Sequence, residues 1–241
     1  MRRWIWIVVI TLTLGIASPS FGISVYNFTS ADPYTWDYQG SSNLCWAATA
    51  ANMLAWSGWG MSSDSQTIFG YFQNYWPNSA WYTAGGIQWY FNGNSTVPGG
   101  DFYPTINVNQ YLFTTNYLIG LQQFILAGDA VSVGVWQSLT GIGHALTVWG
   151  YETDNKGNLD GLWVTNSWSP TNPGLQLISA IWDPTIGFWR TNFWGNDTGI
   201  VSGVTALERN PASPISIPEP SILVLLGIGL TGVLIKKEML N

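Results

Sequence analysis

A single cysteine, Cys45, stands among 241 residues that open with the pattern of an exported protein. Arg2 and Arg3 precede an apolar run from Trp4 to Ile16, and the cleavage-site candidate Ser20-Phe21-Gly22 follows. Charged, apolar and small residues in that order read as a secretory signal over residues 1–22, and the run is short for a bilayer span. Exported domains often lean on disulfides, but one thiol cannot form one within its own chain. The fold must therefore rest on an apolar core, and the composition supplies it: 46% hydrophobic residues, 16 Trp and 11 Tyr, with only 8% charged. Large rings bury much area, so most of them are read as core and exposed ones as possible contacts for sugar or matrix polymer. The cysteine is then either a small core hydrophobe or a reagent.

The other end bounds the folded part. Residues 210–220, "NPASPISIPEP", form a proline-rich linker that fits neither a helix interior nor a sheet interior. An apolar stretch and then Lys236 and Lys237 follow, an order that places the lysines in the cytoplasm and the preceding domain outside. Residues 23–209 remain as one domain. Pro218-Glu219-Pro220, the apolar stretch and the basic end resemble the PEP-CTERM sorting signal of bacterial exported proteins. That resemblance implies an exosortase-type processing enzyme as partner and an envelope or extracellular location. It also implies at least transient anchoring in the inner membrane through residues 221–241. Gly227-Ile228-Gly229-Leu230-Thr231-Gly232 fits a nucleotide-binding spacing, but no βαβ unit can follow it at the chain's end, so that reading is rejected. A net charge of −6 with few basic residues argues against nucleic acid as a partner.

Around the cysteine, Cys45, Ala48, Met53 and Trp56 mark one face of an alanine-rich segment that predicts a buried helix ending near Ser57-Gly58. Ser42 or Asn43 is expected to cap it. Cys45 then lies in the first turn, where free N–H groups and the dipole favour a thiolate and pull its pKa down.

His144 is the only histidine, and it heads an alternating run that predicts a strand. Asn155, Lys156, Gly157 and Asn158 predict a turn, with "LDGLWVTNSW" as the return strand. In an antiparallel hairpin opposed residue numbers keep a constant sum, here 310–312, so His144 faces residues 166–168 and Asn166 among them. Directly opposed side chains share a face, which lets an Asn carbonyl fix the imidazole tautomer. Upstream, Leu118, Leu121 and Ile125 predict a helix stopped at Gly128, followed by a strand over Ala130–Trp136. One Cys and one His fall short of a zinc site, and neither metal nor cofactor is expected.

The order Cys, His, Asn resembles papain-type thiol enzymes, as do "QGSSNLCWA" and "NSW" over Asn166–Trp168. By that resemblance Cys45 is the nucleophile, His144 the base, Asn166 its orienter and Gln39, six residues before Cys45, the oxyanion helper. "LCWAATAANMLAW" and "GHALTVWGYETDNKGNLDGLWVTNS" resemble blocks of the immunoglobulin-degrading cysteine endopeptidase (Mac) family. That family carries Asp where Asn166 stands and a lysine helper where this chain has Thr35, and residues 60–115 match neither pattern. The two resemblances imply an α+β, papain-like two-lobe fold, with a helical Cys lobe packed on an antiparallel β lobe carrying His and Asn. They imply a cysteine endopeptidase acting on protein or peptide through an acyl-enzyme. The alternatives are a transglutaminase-like acyl transferase and a non-catalytic matrix-binding protein.

Overall fold

The structure, a computed structural model, describes residues 24–26, 43–77, 79–115, 118, 120–168, 175–195 and 199–213. The signal, the linker from residue 214 on and the apolar tail read from the sequence lie outside these residues, as does Gln39.

The alanine-rich segment folds as expected into helix α1 (Cys45–Ser57), buried from Trp46 to Ser57. Gly58 ends it at φ 75°, a left-handed conformation in which a Cβ would be strained. Its start differs from the expectation. Leu44 occupies the N-cap, and no side-chain oxygen caps the helix. Leu44 is held there by burial in the core, and its carbonyl accepts from both Ala47 and Ala48. Cys45 therefore opens the helix with an N–H that no helical carbonyl reaches.

The stretch that matched no family pattern supplies two more helices, α2 (Ser65–Tyr75) and α3 (Thr83–Asn92). Asp64 starts α2 by accepting from the N–H groups of Gln66 and Thr67. Helices α2 and α3 pack on α1 through a dense set of rings. Trp46 makes edge contacts with Phe72, Trp76 and Trp81 at centroid distances of 5.5, 5.9 and 5.6 Å. Gly86 of α3 makes this possible, because a Cβ there would stand 2.5 Å from the Trp46 ring.

Among the described residues nine strands make up the rest, every pair antiparallel: β1 (Ser24–Tyr26), β2 (Leu112–Thr115), β3 (Ala130–Gln137), β4 (Ile142–Thr153) and β5 (Leu159–Thr165) come first. β6 (Gln176–Ser179), β7 (Ile181–Asp183), β8 (Phe188–Thr191) and β9 (Gly199–Leu207) complete the set. Helix α4 (Leu121–Ala127) enters β3 through Gly128. The sheet runs β6-β5-β4-β3-β9-β8-β7, with β1 added on β4 and β2 on β9.

The two ends of that path, β6 and β7, are consecutive in the chain and separated only by Ala180. Ala180 N–H donates to Asp160 O, Ser179 N–H to Asn192 Oδ1, and Asn192 N–H to Ser179 Oγ. These bonds draw the sheet around into a nearly closed antiparallel barrel. Register shifts at Gly134/Val135, Val148/Gly150 and Glu152/Thr153 supply bends of the kind that curvature needs. The expected papain-like division into a helical lobe packed on a β lobe is thus corrected. The barrel is the body of the fold, and its few helices lie against it. The physical reason is β9, whose residues pair with β2, β3 and β8 and so recruit the C-terminal strands into one curled sheet.

Two apolar clusters follow from the alternation along the strands. Val131, Val133, Leu146, Val148, Leu162 and Val164 line the face the curl encloses, joined by Leu121 and Ile125 of α4. On the opposite face Ala130, Trp149 and Leu207 meet the helices. Asn52 of α1 is one of the buried polar residues there. Its Nδ2 donates to Thr147 Oγ1 at 2.9 Å, seven residues after Cys45 on the helix and three after His144 on β4. One buried bond therefore sets the register between the two elements that carry the thiol and the imidazole.

Candidate active site

The β4–β5 hairpin closes as its turn residues predict. Asp154 Oδ1 accepts from the N–H groups of Lys156 and Asn158, and Gly157 takes φ 84°. Thr147 lies opposite Thr165 and Val148 opposite Val164, a sum of 312 at the upper end of the expected range. The ladder ends at that pair, and Asn166 follows it on the way out of β5. Its side chain reaches back to His144, with 2.9 Å between Asn166 Oδ1 and His144 Nε2.

A second contact fixes the chemistry of that bond. The Trp168 backbone N–H also donates to Asn166 Oδ1, at 2.9 Å. An atom that takes an N–H from the backbone is the carbonyl oxygen, so Nε2 must be the donor to it. The imidazole is therefore the Nε2–H tautomer, and Nδ1 carries the lone pair. Nδ1 is buried and has no hydrogen-bond partner among the described residues. His144 itself is 4% exposed. Trp168 stacks on the imidazole at 4.2 Å and 20°, and Phe193 lies nearly parallel at 5.5 Å. These rings keep water off the His144–Asn166 bond.

Cys45 and His144 line the same cleft, of about 830 Å³, between the start of α1, the start of α3 and the β3–β4–β9 face. Backbone hydrogen bonds from Ala145, Trp46 and Cys45 itself bear on the thiol, and their lowering effect identifies them as N–H donors. The Ala145 donor is the residue after His144, so neighbouring residues of β4 supply the imidazole and a hydrogen bond to the sulfur.

Burial decides the resting protonation. It pushes the Cys45 thiol above its ordinary value, outweighing those backbone hydrogen bonds. The expectation of a lowered thiol at the helix start is corrected on that ground. Burial also pushes His144 down to about 4, against the raising effect of the Asn166 bond. At neutral pH Cys45 is thus a thiol and His144 a neutral imidazole, with no ion pair formed in advance. Iodoacetamide labelling of Cys45 should accordingly climb only above the pH range of an ordinary thiol, about 8.5. A labelling rate already level at pH 7 would contradict this, and the lone cysteine makes the readout unambiguous.

The structure thus brings Cys45, His144 and Asn166 to one place. Gln39 lies outside the described residues, so its expected role has no geometry attached. Three contributors were not read from the sequence: the Ala145 N–H, the Phe193 stack and the Asn52–Thr147 bond. Only the last left a signal there, since a buried Asn in an apolar helix requires a partner. Among the described residues no group of three His, Cys, Asp or Glu is placed to hold a metal ion.

Comparison with known proteins adds one finding at the far end. The model of the PEP-CTERM protein-sorting motif matches residues 216–237. The motif supports export and envelope association, and implies recognition by an exosortase-type processing enzyme. A comparison of the chain with curated proteins gave no match. No helix among the described residues is long and apolar enough to cross a membrane.

Proposed function

We propose that this chain is a cysteine endopeptidase of the cell envelope that cuts peptide bonds through an acyl-enzyme. The observation that carries the reading is the doubly bonded Asn166 Oδ1, which leaves the lone pair on Nδ1 of a histidine that lines the same cleft as Cys45. The two sequence blocks resembling the Mac endopeptidases, one around Cys45 and one around His144, support it further.

The chemistry follows from the neutral pair. Nδ1 takes the thiol proton as Sγ attacks the peptide carbonyl, and the carbonyl π pair moves onto oxygen. The helix-start N–H of Cys45 faces that oxyanion, with Gln39 as a second donor by the family resemblance. On collapse the C–N bond breaks and the imidazolium gives its proton to the leaving amine. Water then loses a proton to Nδ1, attacks the thioester, and releases the acid as the thiol regains its proton. The apolar tail holds the chain at the membrane until processing, so its substrates are exported proteins or peptides.

Asn166→Ala tests the role of the orienter. Turnover should fall by about 10–100-fold, because the tautomer is no longer imposed while thiol and base remain. The pH profile carries the sign. Activity needs neutral His144, so it should hold through pH 5 and fall as pH drops through about 4. Loss of the Asn166 bond, which raises His144, should move that fall to still lower pH. An unchanged rate and profile in the variant would remove Asn166 from the mechanism.

A further inference from the structure

Away from the cleft, the β7–β8 hairpin carries large apolar side chains on both of its faces and at its tip. Ile181 lies opposite Arg190, Trp182 opposite Trp189 and Asp183 opposite Phe188. Opposed side chains share a face and successive ones alternate, so Ile181 and Phe188 stand on one face and Trp182 on the other. Ile186 sits in the turn between the strands. Ile181, Phe188, Trp182 and Ile186 remain 49%, 44%, 45% and 39% exposed. Trp189 packs inward on the barrel cluster, and Trp182 meets it edge-on at 5.7 Å from outside. Ser179 and Asn192 exchange two hydrogen bonds across the base of the hairpin and fix it there. Only Arg190 and Thr191 of β8 pair with β9, because β2 takes the same edge of β9 from Val204 onward. The rest of the hairpin leaves the sheet, its turn directed toward the end of β9 from which the chain departs for the sorting motif. Its polar groups are committed to one another. Arg190 Nε donates to Asp183 Oδ2, Thr185 N–H to Asp183 Oδ1 and Gly187 N–H to Asp183 O, while Pro184 has no N–H to satisfy.

We propose that the β7–β8 hairpin dips into the surface of a zwitterionic bilayer and seats the domain there, whatever chemistry Cys45 performs. A folded partner covers one face of a hairpin, whereas apolar groups on two faces and a tip are covered together by a fluid medium. Closed turn bonds and an internal ion pair keep the cost of leaving water low. An indole suits the boundary between headgroups and acyl chains. The chain itself brings the surface within reach. Residues 214–220 lie between Ser213 and the apolar stretch read as the anchor, and they span at most about 25 Å. The end of the domain toward which the turn points is therefore held close to the headgroups, and docking becomes an intramolecular event. Attraction to anionic lipid plays no part, since the chain carries −6 and the hairpin's only cation, Arg190, is held by Asp183.

The experiment uses the full chain with Cys45→Ala and Ile186→Cys, labelled at its single thiol with a nitrobenzoxadiazole fluorophore and reconstituted in phosphatidylcholine vesicles. Emission should shift to the blue. Nitroxide-labelled lipid with the spin near the headgroup should remove most of it and a deep spin much less, since interfacial groups bury only about 5–10 Å. The same fluorophore at Lys156→Cys, on the exposed β4–β5 turn, should keep its emission, and Phe188→Cys should repeat the result at Ile186→Cys. Adding Trp182→Ser and Ile181→Ser to the Ile186→Cys chain should abolish most of the quenching, with circular dichroism confirming the fold. Quenching no greater at Ile186→Cys than at Lys156→Cys, or unchanged by the two serines, would overturn the insertion. Quenching that requires anionic lipid and disappears at high salt would overturn the zwitterionic surface. Emission that ignores vesicles but shifts with an envelope polysaccharide or protein would overturn lipid as the occupant.

Discussion

His144→Ala should lower kcat/KM for peptide hydrolysis by about 10⁴-fold, the scale at which losing the base of a nucleophile–base pair is felt. The size follows from the resting state. Because burial holds the Cys45 thiol protonated, no standing thiolate survives to react once the imidazole is gone. In a site that stored an ion pair, the helix start alone would retain part of the thiolate. Here the proton has no other described acceptor in the cleft, since the residues lining it include no carboxylate. The loss should fall on kcat, because His144 is 4% exposed and offers little surface to bind substrate. The measurement is steady-state turnover of one peptide by both forms, with circular dichroism confirming the fold. Turnover within tenfold of wild type would mean that another group takes the proton.

Trp46→Ala should cost about 3–5 kcal/mol of folding stability, the range for deleting a large buried aromatic. Trp46 follows Cys45 directly and is 1% exposed. Its ring meets Phe72, Trp76 and Trp81, and its Nε1 donates to Ser79 O at 2.7 Å. Truncation empties the junction of all three helices and leaves that carbonyl unpaired. Without a disulfide, nothing covalent limits the damage, so denaturant unfolding should show it in full. A loss under about 1 kcal/mol would mean that the helices close around the gap.

What could be read from the sequence was whatever neighbouring residues decide. The span of α1 and its stop at Gly58 follow from alanine spacing and one glycine. The hairpin register follows from a turn whose Asp154 and Gly157 leave little choice, and it carried Asn166 close enough for its side chain to reach His144 from beyond the end of the ladder. The barrel was not legible, because its closure depends on β9 pairing with strands far away in the chain and on three bonds around Ala180. The protonation of Cys45 was misjudged for a related reason. The helix start is a local feature, but the burial that outweighs it comes from the whole assembly. The rings were legible only as a mostly buried class, to which Trp46, Trp59 and Trp89 conform, whereas the exposure of Trp136 and Trp168 depends on the cleft that the fold builds around them.

Helix α1 joins two ends of the molecule that have different business. Cys45 stands at its first residue. At the other end Asn210 N–H donates to Ser57 O at 2.8 Å, and Asn210 Nδ2 to Gly58 O at 3.0 Å. Thirteen residues of helix separate these points by about 20 Å. The chain sets out toward the sorting motif at 216–237 from the far end of the rod that carries the thiol. The cleft mouth and the last described residues before the motif are thus held at opposite ends of one helix. Among the described residues, none of the contacts that seat α1, and with it Cys45, comes from the motif.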